Sequence, residues 1–151
     1  MTNREHLLTI VEPTTGGDAT LELAHETVAR GGSASVVMVI TDRVQRDIRA
    51  FADSEDLDRG EAEALALDQL RNHCSDRVGG SPELATHYGA LGSNVVKYVT
   101  ADTTAIAIPE RLVADKFVQR IVTYSGRPVI VAPSRIALSQ TRAEARLSSR
   151  A

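Results

Sequence analysis

The chain has no tryptophan, and its two phenylalanines and three tyrosines bring aromatic residues to only 3% of 151 positions. So few flat side chains cannot form the row of stacking platforms that holds single-stranded nucleic acid. The core must then be built from Val, Ile, Leu and Ala. Cysteine is almost missing: Cys74 is alone, which excludes an internal disulfide and suits a reducing compartment. Its spacing from Leu70 and Val78 puts it on the apolar face of a helix, as a buried structural thiol. Long hydrophobic runs are absent as well. Ala34 to Ile40 and Pro128 to Pro133 fall far short of the ~20 apolar residues that cross a bilayer, and Met1 to His6 lead into a strand without a signal-peptide core. A cytoplasmic location is expected. Positive charge is scarce too: 17 Lys and Arg against 20 Asp and Glu give a formal net charge of −3. No general affinity for nucleic acid or for an anionic membrane follows from that balance.

What is present reads as one domain. Hydrophobic residues at 42% and charged residues at 25% are ordinary for a soluble globular protein, and residues 1–133 hold the patterned part. From 134 to 151 the chain is polar, with only sparse apolar positions, and reads as a C-terminal tail. His6 to Glu12 is a short apolar strand, followed by the turn signals Pro13 to Gly17 and by Asp18 as an N-cap. Leu21, Ala24 and Val28 recur at helical spacing to about Arg30, where Gly31-Gly32 stops the helix. Ser35 to Thr41 is β-branched and apolar on both faces, as a central strand must be.

Val44, Ile48 and Phe51 then mark a short surface helix, ended by the acidic connector Asp53 to Asp56. Asp58 and Glu61 have capping-box spacing and open a long helix to about Arg77, with Ala62, Leu65, Ala66, Leu70 and Cys74 as its apolar stripe. Glu83 to Gly89 is a weaker, more polar strand of the kind found at a sheet edge. Ser93 can cap a short helix carrying Val95, Val96 and Val99, and Thr103 to Ile108 is a fourth strand. A helix starting at Pro109-Glu110 would bury Val113, Phe117, Ile121 and Val122, with proline in its first turn. Gly126 closes it before a fifth strand, Pro128 to Ala132.

Five strands alternating with helices define an α/β fold: an open five-stranded parallel sheet with helices on both faces. With the edge-like third strand outermost and the first central, the order is 3-2-1-4-5. The topological switch point then lies between strands one and four, beside Glu12 and the Ile108-Pro109 turn. At that turn a phosphate would normally be held by bare backbone N–H groups at a helix start. Proline has no N–H to offer, and Glu110 puts negative charge where an anion would sit.

The segment Phe117 to Pro133, a helix running into a Pro-Val-hydrophobic strand, and the opening strand and helix with Leu21-Glu22-Leu23-Ala24 resemble the universal stress protein family. The resemblance covers roughly residues 5 to 133. It implies an adenine nucleotide alpha hydrolase-like fold, a role in the stress response, and homodimers whose final strands pair across a two-fold axis, here through Val129, Ile130 and Val131. Cover of that strand by the C-terminal tail is the alternative.

ATP-binding members carry Gly, two residues, Gly, nine residues, then Gly-Ser or Gly-Thr, after the fourth strand. Registered on Pro128, the last pair falls on Asp115 and Lys116, and the earlier glycines fall on Ala105 and Asp102. No residue of the motif survives, so no cofactor is expected through that loop. The adenine side of the family's pocket corresponds to Glu12, where nucleotide-binding members usually have Asp, and to Val39 and Ile40 near the backbone that meets adenine. Glu12 reads either as a ribose or adenine contact or as a solvated carboxylate at a strand end.

Other constellations carry less. His6, His25, His73 and His87 fall on different elements without metal-ligand spacing, and Ser93 lacks the setting of an exposed nucleophile. Gly16-Gly17 has neither dinucleotide-binding spacing nor a Walker lysine. Arg111 and Lys116 are solvated helix residues or weak phosphate clamps. The expectation is a homodimeric regulatory domain, not an enzyme, acting through an unknown protein partner; the alternative is a sensor of adenine nucleotide or another small ligand in the cleft between strands one and four.

Overall fold

The computed structural model describes residues 4–13, 18–113 and 115–133. The expectations for the Gly16-Gly17 turn, the side chains of Ser93, Lys116 and Phe117, and the tail from 134 onward lie outside the described residues. Strand β1 (His6–Val11) leads to helix α1 (Asp18–Ala29) and strand β2 (Ser33–Ile40). Two helices follow, α2 (Asp42–Ser54) and α3 (Arg59–Val78), before strand β3 (Glu83–Tyr88). A 3-10 helix at Gly92–Tyr98, strand β4 (Ala105–Pro109), a 3-10 turn at Glu110–Leu112, helix α4 (Asp115–Ser125) and strand β5 (Val129–Ala132) complete the described elements. The five strands form one sheet in the order β3-β2-β1-β4-β5, and every neighbouring pair is parallel.

Alternation along the strands divides the core into two layers. On one face Leu7, Val11, Val36 and Met38 pack against Leu21 and Ala24 of α1 and Cys74 and Val78 of α3. On the other, Leu8, Ile10, Val37, Val39, Ile106 and Ile108 pack against Leu91, Val95 and Ile121. β2 lies between two partners and buries Val36 to Ile40 completely, which its β-branched sequence requires. Burial pushes the Cys74 thiol up to about 11, helped by the negative charge of Asp18. One core hydroxyl has no matching acceptor: the Thr9 side-chain oxygen is buried with no hydrogen-bond partner among the described residues.

The glycine stops work as expected where the backbone demands them. Gly126 adopts φ 66° beyond α4, and its N–H returns to Val122 O at 2.9 Å. At Gly32 a Cβ would lie 2.7 Å from Glu5 O, so only glycine fits the close passage between α1 and β1.

Several local expectations are corrected. α2 is a full helix of 13 residues rather than a short piece, because Thr41 caps it: the Thr41 hydroxyl accepts the Val44 N–H at 3.3 Å. α3 starts after Asp58 as expected, but the Asp58 side chain makes no cap bond, so the capping box is not formed. Its buried residues are Ala62, Leu67, Cys74 and Val78, while Leu65 is 43% exposed; the stripe is rotated from the expected one. Asp18 lies inside the first turn of α1 and faces His73 at 3.3 Å. The Gly92–Tyr98 segment is 3-10 and starts after Leu91, leaving Ser93 within it rather than at its cap. The expected helix from Pro109 is split, since the 3-10 turn ends at Leu112 and α4 begins only at Asp115. Val122 is consequently 43% exposed, although Ile121 is fully buried.

Candidate functional site

β1 connects to β2 on one side of the sheet, and β4 joins β1 on the other, so the carboxyl ends of β1 and β4 form the switch-point crevice. The register, with Thr9 opposite Ala107, brings Glu12 and the Pro109-Glu110 turn to the same end of the sheet.

Glu12 is not a solvated strand-end carboxylate. It is only 3% exposed and is held by two residues from the start of α2. The Thr41 hydroxyl donates to Glu12 Oε2 at 2.6 Å, and the Arg43 guanidinium stands 3.9 Å from Oε1. Thr41 therefore does two jobs with one oxygen, donating to the carboxylate and accepting from the Val44 N–H. A buried carboxylate costs several kcal/mol to desolvate unless it is hydrogen-bonded and matched by charge, and Thr41 and Arg43 supply both. Chemically the cluster presents an acceptor to a hydroxyl or amino group, flanked by a half-exposed cation.

The sequence pointed to Glu12 but missed Thr41 and Arg43. A signal for Thr41 was available: threonine directly before the helical run Asp42 to Val44 is an N-cap pattern. Arg43 has no such signal, because its reach toward Glu12 exists only once β1 and β2 lie side by side.

Val39 and Ile40 are at the end of β2, beside the crevice, but their side chains are buried in opposite layers. Only their backbone could meet a ligand in that crevice. Ile40 O already accepts the Gly89 N–H at 3.0 Å, which ties that carbonyl to the β3 side. The site is thus Glu12, Thr41 and Arg43 around the ends of β1 and β2, with Val39 and Ile40 as its frame.

On the β4 side, Pro109 is the last strand residue and faces Ala132 of β5, so the turn begins with a residue that has no N–H. The Val113 N–H is used within the turn, bonded to Glu110 O at 3.1 Å. From Pro109 to Lys116 there is no glycine. Ala105 is the first residue of β4 and Asp102 lies in the turn before it, at the end of the sheet opposite Glu12. These residues do not fit a triphosphate held by a glycine loop. Among the described residues no group of three or more His, Cys, Asp or Glu could hold a metal ion.

The histidines are used locally. His6 contacts the hydroxyls of Ser33 and Ser35 at 2.7 and 3.2 Å, His25 meets Val78 O, and His87 meets the Tyr98 hydroxyl at 2.9 Å. On β5, Val129 is half-buried against the core, whereas Ile130 and Val131 are 42% and 44% exposed on a strand that pairs, among the described residues, with β4 alone.

Among solved structures, the hypothetical protein MJ0577, whose structure served to assign its biochemical function, matches with a TM-score of 0.52 at 13% identity, over 89% of this chain and 99% of that one. The two proteins share a fold. A universal stress protein from Archaeoglobus fulgidus matches at 14% identity and TM-score 0.48, covering 85% of this chain and 93% of that one. UspA from Lactobacillus plantarum, also a universal stress protein, matches at 13% identity and TM-score 0.44, over 87% and 99%. No family model matches the chain, and no curated protein matches it. Likeness at this identity establishes architecture alone, because one doubly wound fold carries many activities. Among the described residues no helix is long and apolar enough to cross a membrane.

Proposed function

We propose that the protein is a homodimeric, universal-stress-protein-like regulatory domain that works in the cytoplasm by binding a protein partner, does not hold ATP through a glycine loop, and performs no covalent chemistry. The observation that carries the reading is the β4–α4 junction. Pro109 offers no donor, Val113 spends its N–H inside the turn, and Glu110 sets a carboxylate at the mouth. A triphosphate needs several convergent free N–H groups, and an adjacent fixed negative charge opposes it. The exposed apolar edge of β5 supports the dimer: Ile130 and Val131 lie on a strand that has no outer neighbour among the described residues, and a second copy can complete such an edge.

Titration calorimetry with ATP and with AMP, each with and without magnesium, tests this reading. Binding weaker than about 1 mM is expected for all four. Micromolar ATP binding would overturn it.

A second reading has a specific observation in its favour. Glu12 is buried and oriented by Thr41 and Arg43 at the switch point, where open α/β sheets place their ligands. A sensor of adenine nucleotide or another small ligand would use Glu12 together with the Val39 and Ile40 backbone. Micromolar AMP binding lost in Glu12→Ala would favour the sensor over the leading reading.

A further inference from the structure

A second cavity lies on the β3 side of the Glu12 cluster; Ile40, whose backbone frames that cluster, turns its side chain into this cavity, and the two share no other residue. α2 and α3 form a helical hairpin over the paired ends of β2 and β3, where Ile40 stands opposite Tyr88. The hairpin leaves a cavity of about 320 Å³, at the small end of the range for ligand sites. Its floor is apolar, made of buried Ile40 and Ala52 and half-buried Ile48. Gln45, Ile48, Arg49 and Ala52 recur at one-turn spacing, so one stripe of α2 supplies both floor and rim. From the first turns of α3 come Arg59 and Glu63. The Tyr88 hydroxyl donates to Glu63 at 3.0 Å, which steadies a half-exposed ring as one wall.

The charges around the mouth are unequal. Arg49 and Arg59 are both exposed, and neither takes part in an ion pair among the described residues. The single lining carboxylate, Glu63, is engaged by Tyr88. Arg59 is also the first residue of the 20-residue helix α3, whose N-cap Asp58 and first-turn Glu61 already put carboxylates at its start, so the attraction for an anion rests on the two guanidinium groups. An apolar floor under two guanidinium forks matches a molecule with a compact apolar body and one planar anionic group.

We propose that the cavity between α2 and α3 binds a small apolar carboxylic acid, its body on Ile40, Ile48, Ala52 and the Tyr88 ring and its carboxylate on Arg49 and Arg59. The site uses none of Glu12, Thr41 and Arg43, and its occupant need not be a nucleotide.

The test titrates the full chain with 2-naphthoate, followed by amide chemical shifts, beside the neutral analogue 2-naphthamide. Saturable shifts confined to 45–52, 59–63 and 88 are expected, with Kd below about 1 mM and at least ~10-fold weaker binding of the amide. Arg49→Gln and Arg59→Gln should each weaken naphthoate about fivefold or more, Glu63→Gln should tighten it, and Arg77→Gln, at the far end of α3 where it pairs with Glu22, should leave it unchanged. Raising the salt to roughly 0.5 M should weaken binding without any substitution, because the mouth is solvated. Equal affinity for acid and amide, indifference to both arginine substitutions, or no saturation by about 10 mM would each overturn the proposal.

Discussion

β2 and β5 are written in nearly the same alphabet and live in opposite surroundings. Val-Val-Met-Val-Ile of β2, residues 36–40, is buried throughout, whereas in Val-Ile-Val-Ala of β5 the two central residues are more than 40% exposed. The difference comes from position. β2 has a strand on each side and a packed layer on each face; β5 has β4 on one side and, among the described residues, no strand on the other. Apolar composition therefore identifies a strand that needs cover, and topology decides whether this subunit provides it.

The comparison breaks most sharply under core truncation. Ile10→Ala, in the strand beside β2, should cost about 2–5 kcal/mol, since the fully buried side chain leaves a cavity in a close-packed layer. In urea unfolding that loss should be the same at every protein concentration. Ile130→Glu should behave differently, with its effect on the unfolding midpoint growing as protein concentration rises. A concentration-independent loss there would mean that β5 is completed within one subunit.

Capping sharpens a second contrast, between Thr41 and Asp58. Thr41→Val removes both a cap bond and the hydrogen bond to buried Glu12, and should cost roughly 1–3 kcal/mol. Asp58→Ala removes no side-chain cap bond and should stay within about 0.5 kcal/mol. Similar losses for the two would contradict the description of the Glu12 cluster. At Thr9 the sign reverses: replacing a buried, unpartnered hydroxyl by a methyl in Thr9→Val should stabilise by about 1 kcal/mol.

Much of this architecture was legible in the chain. Alternating apolar runs and helical stripes located the five strands, and Glu83 to Gly89 was recognisable as an edge from its polarity; in the sheet Leu84 to His87 are only half-buried. Helix phase was harder to read. Leu65 and Leu67 compete for the core side of α3, and α2 and the sheet together select Leu67. The Pro109 start failed for a different reason, since proline there ends a strand and begins a 3-10 turn, both compatible with its fixed φ. Glu12 could be flagged by its place after the first strand, but its burial depends on Thr41 and Arg43, which arrive from another part of the sheet.

Cys74 adds a smaller check on the buried face. With its thiol held up near 11 by burial, alkylation at pH 8 should be far slower than for an exposed cysteine. The same shift has a direction in stability. The folded state keeps its proton while the unfolded thiol loses one, so this contribution is complete below pH 9 and is lost as pH rises from about 9 to about 11. Rapid labelling of the native protein would place Cys74 outside the core.

The open edge of β5 is tested most directly by light scattering on the purified chain and on Ile130→Glu. The unsubstituted protein should show twice the 16.2 kDa chain mass, and the variant should fall toward the single-chain value while keeping its circular dichroism. A folded monomer for the unsubstituted protein, or a dimer that the glutamate leaves intact, would contradict pairing through Val129, Ile130 and Val131.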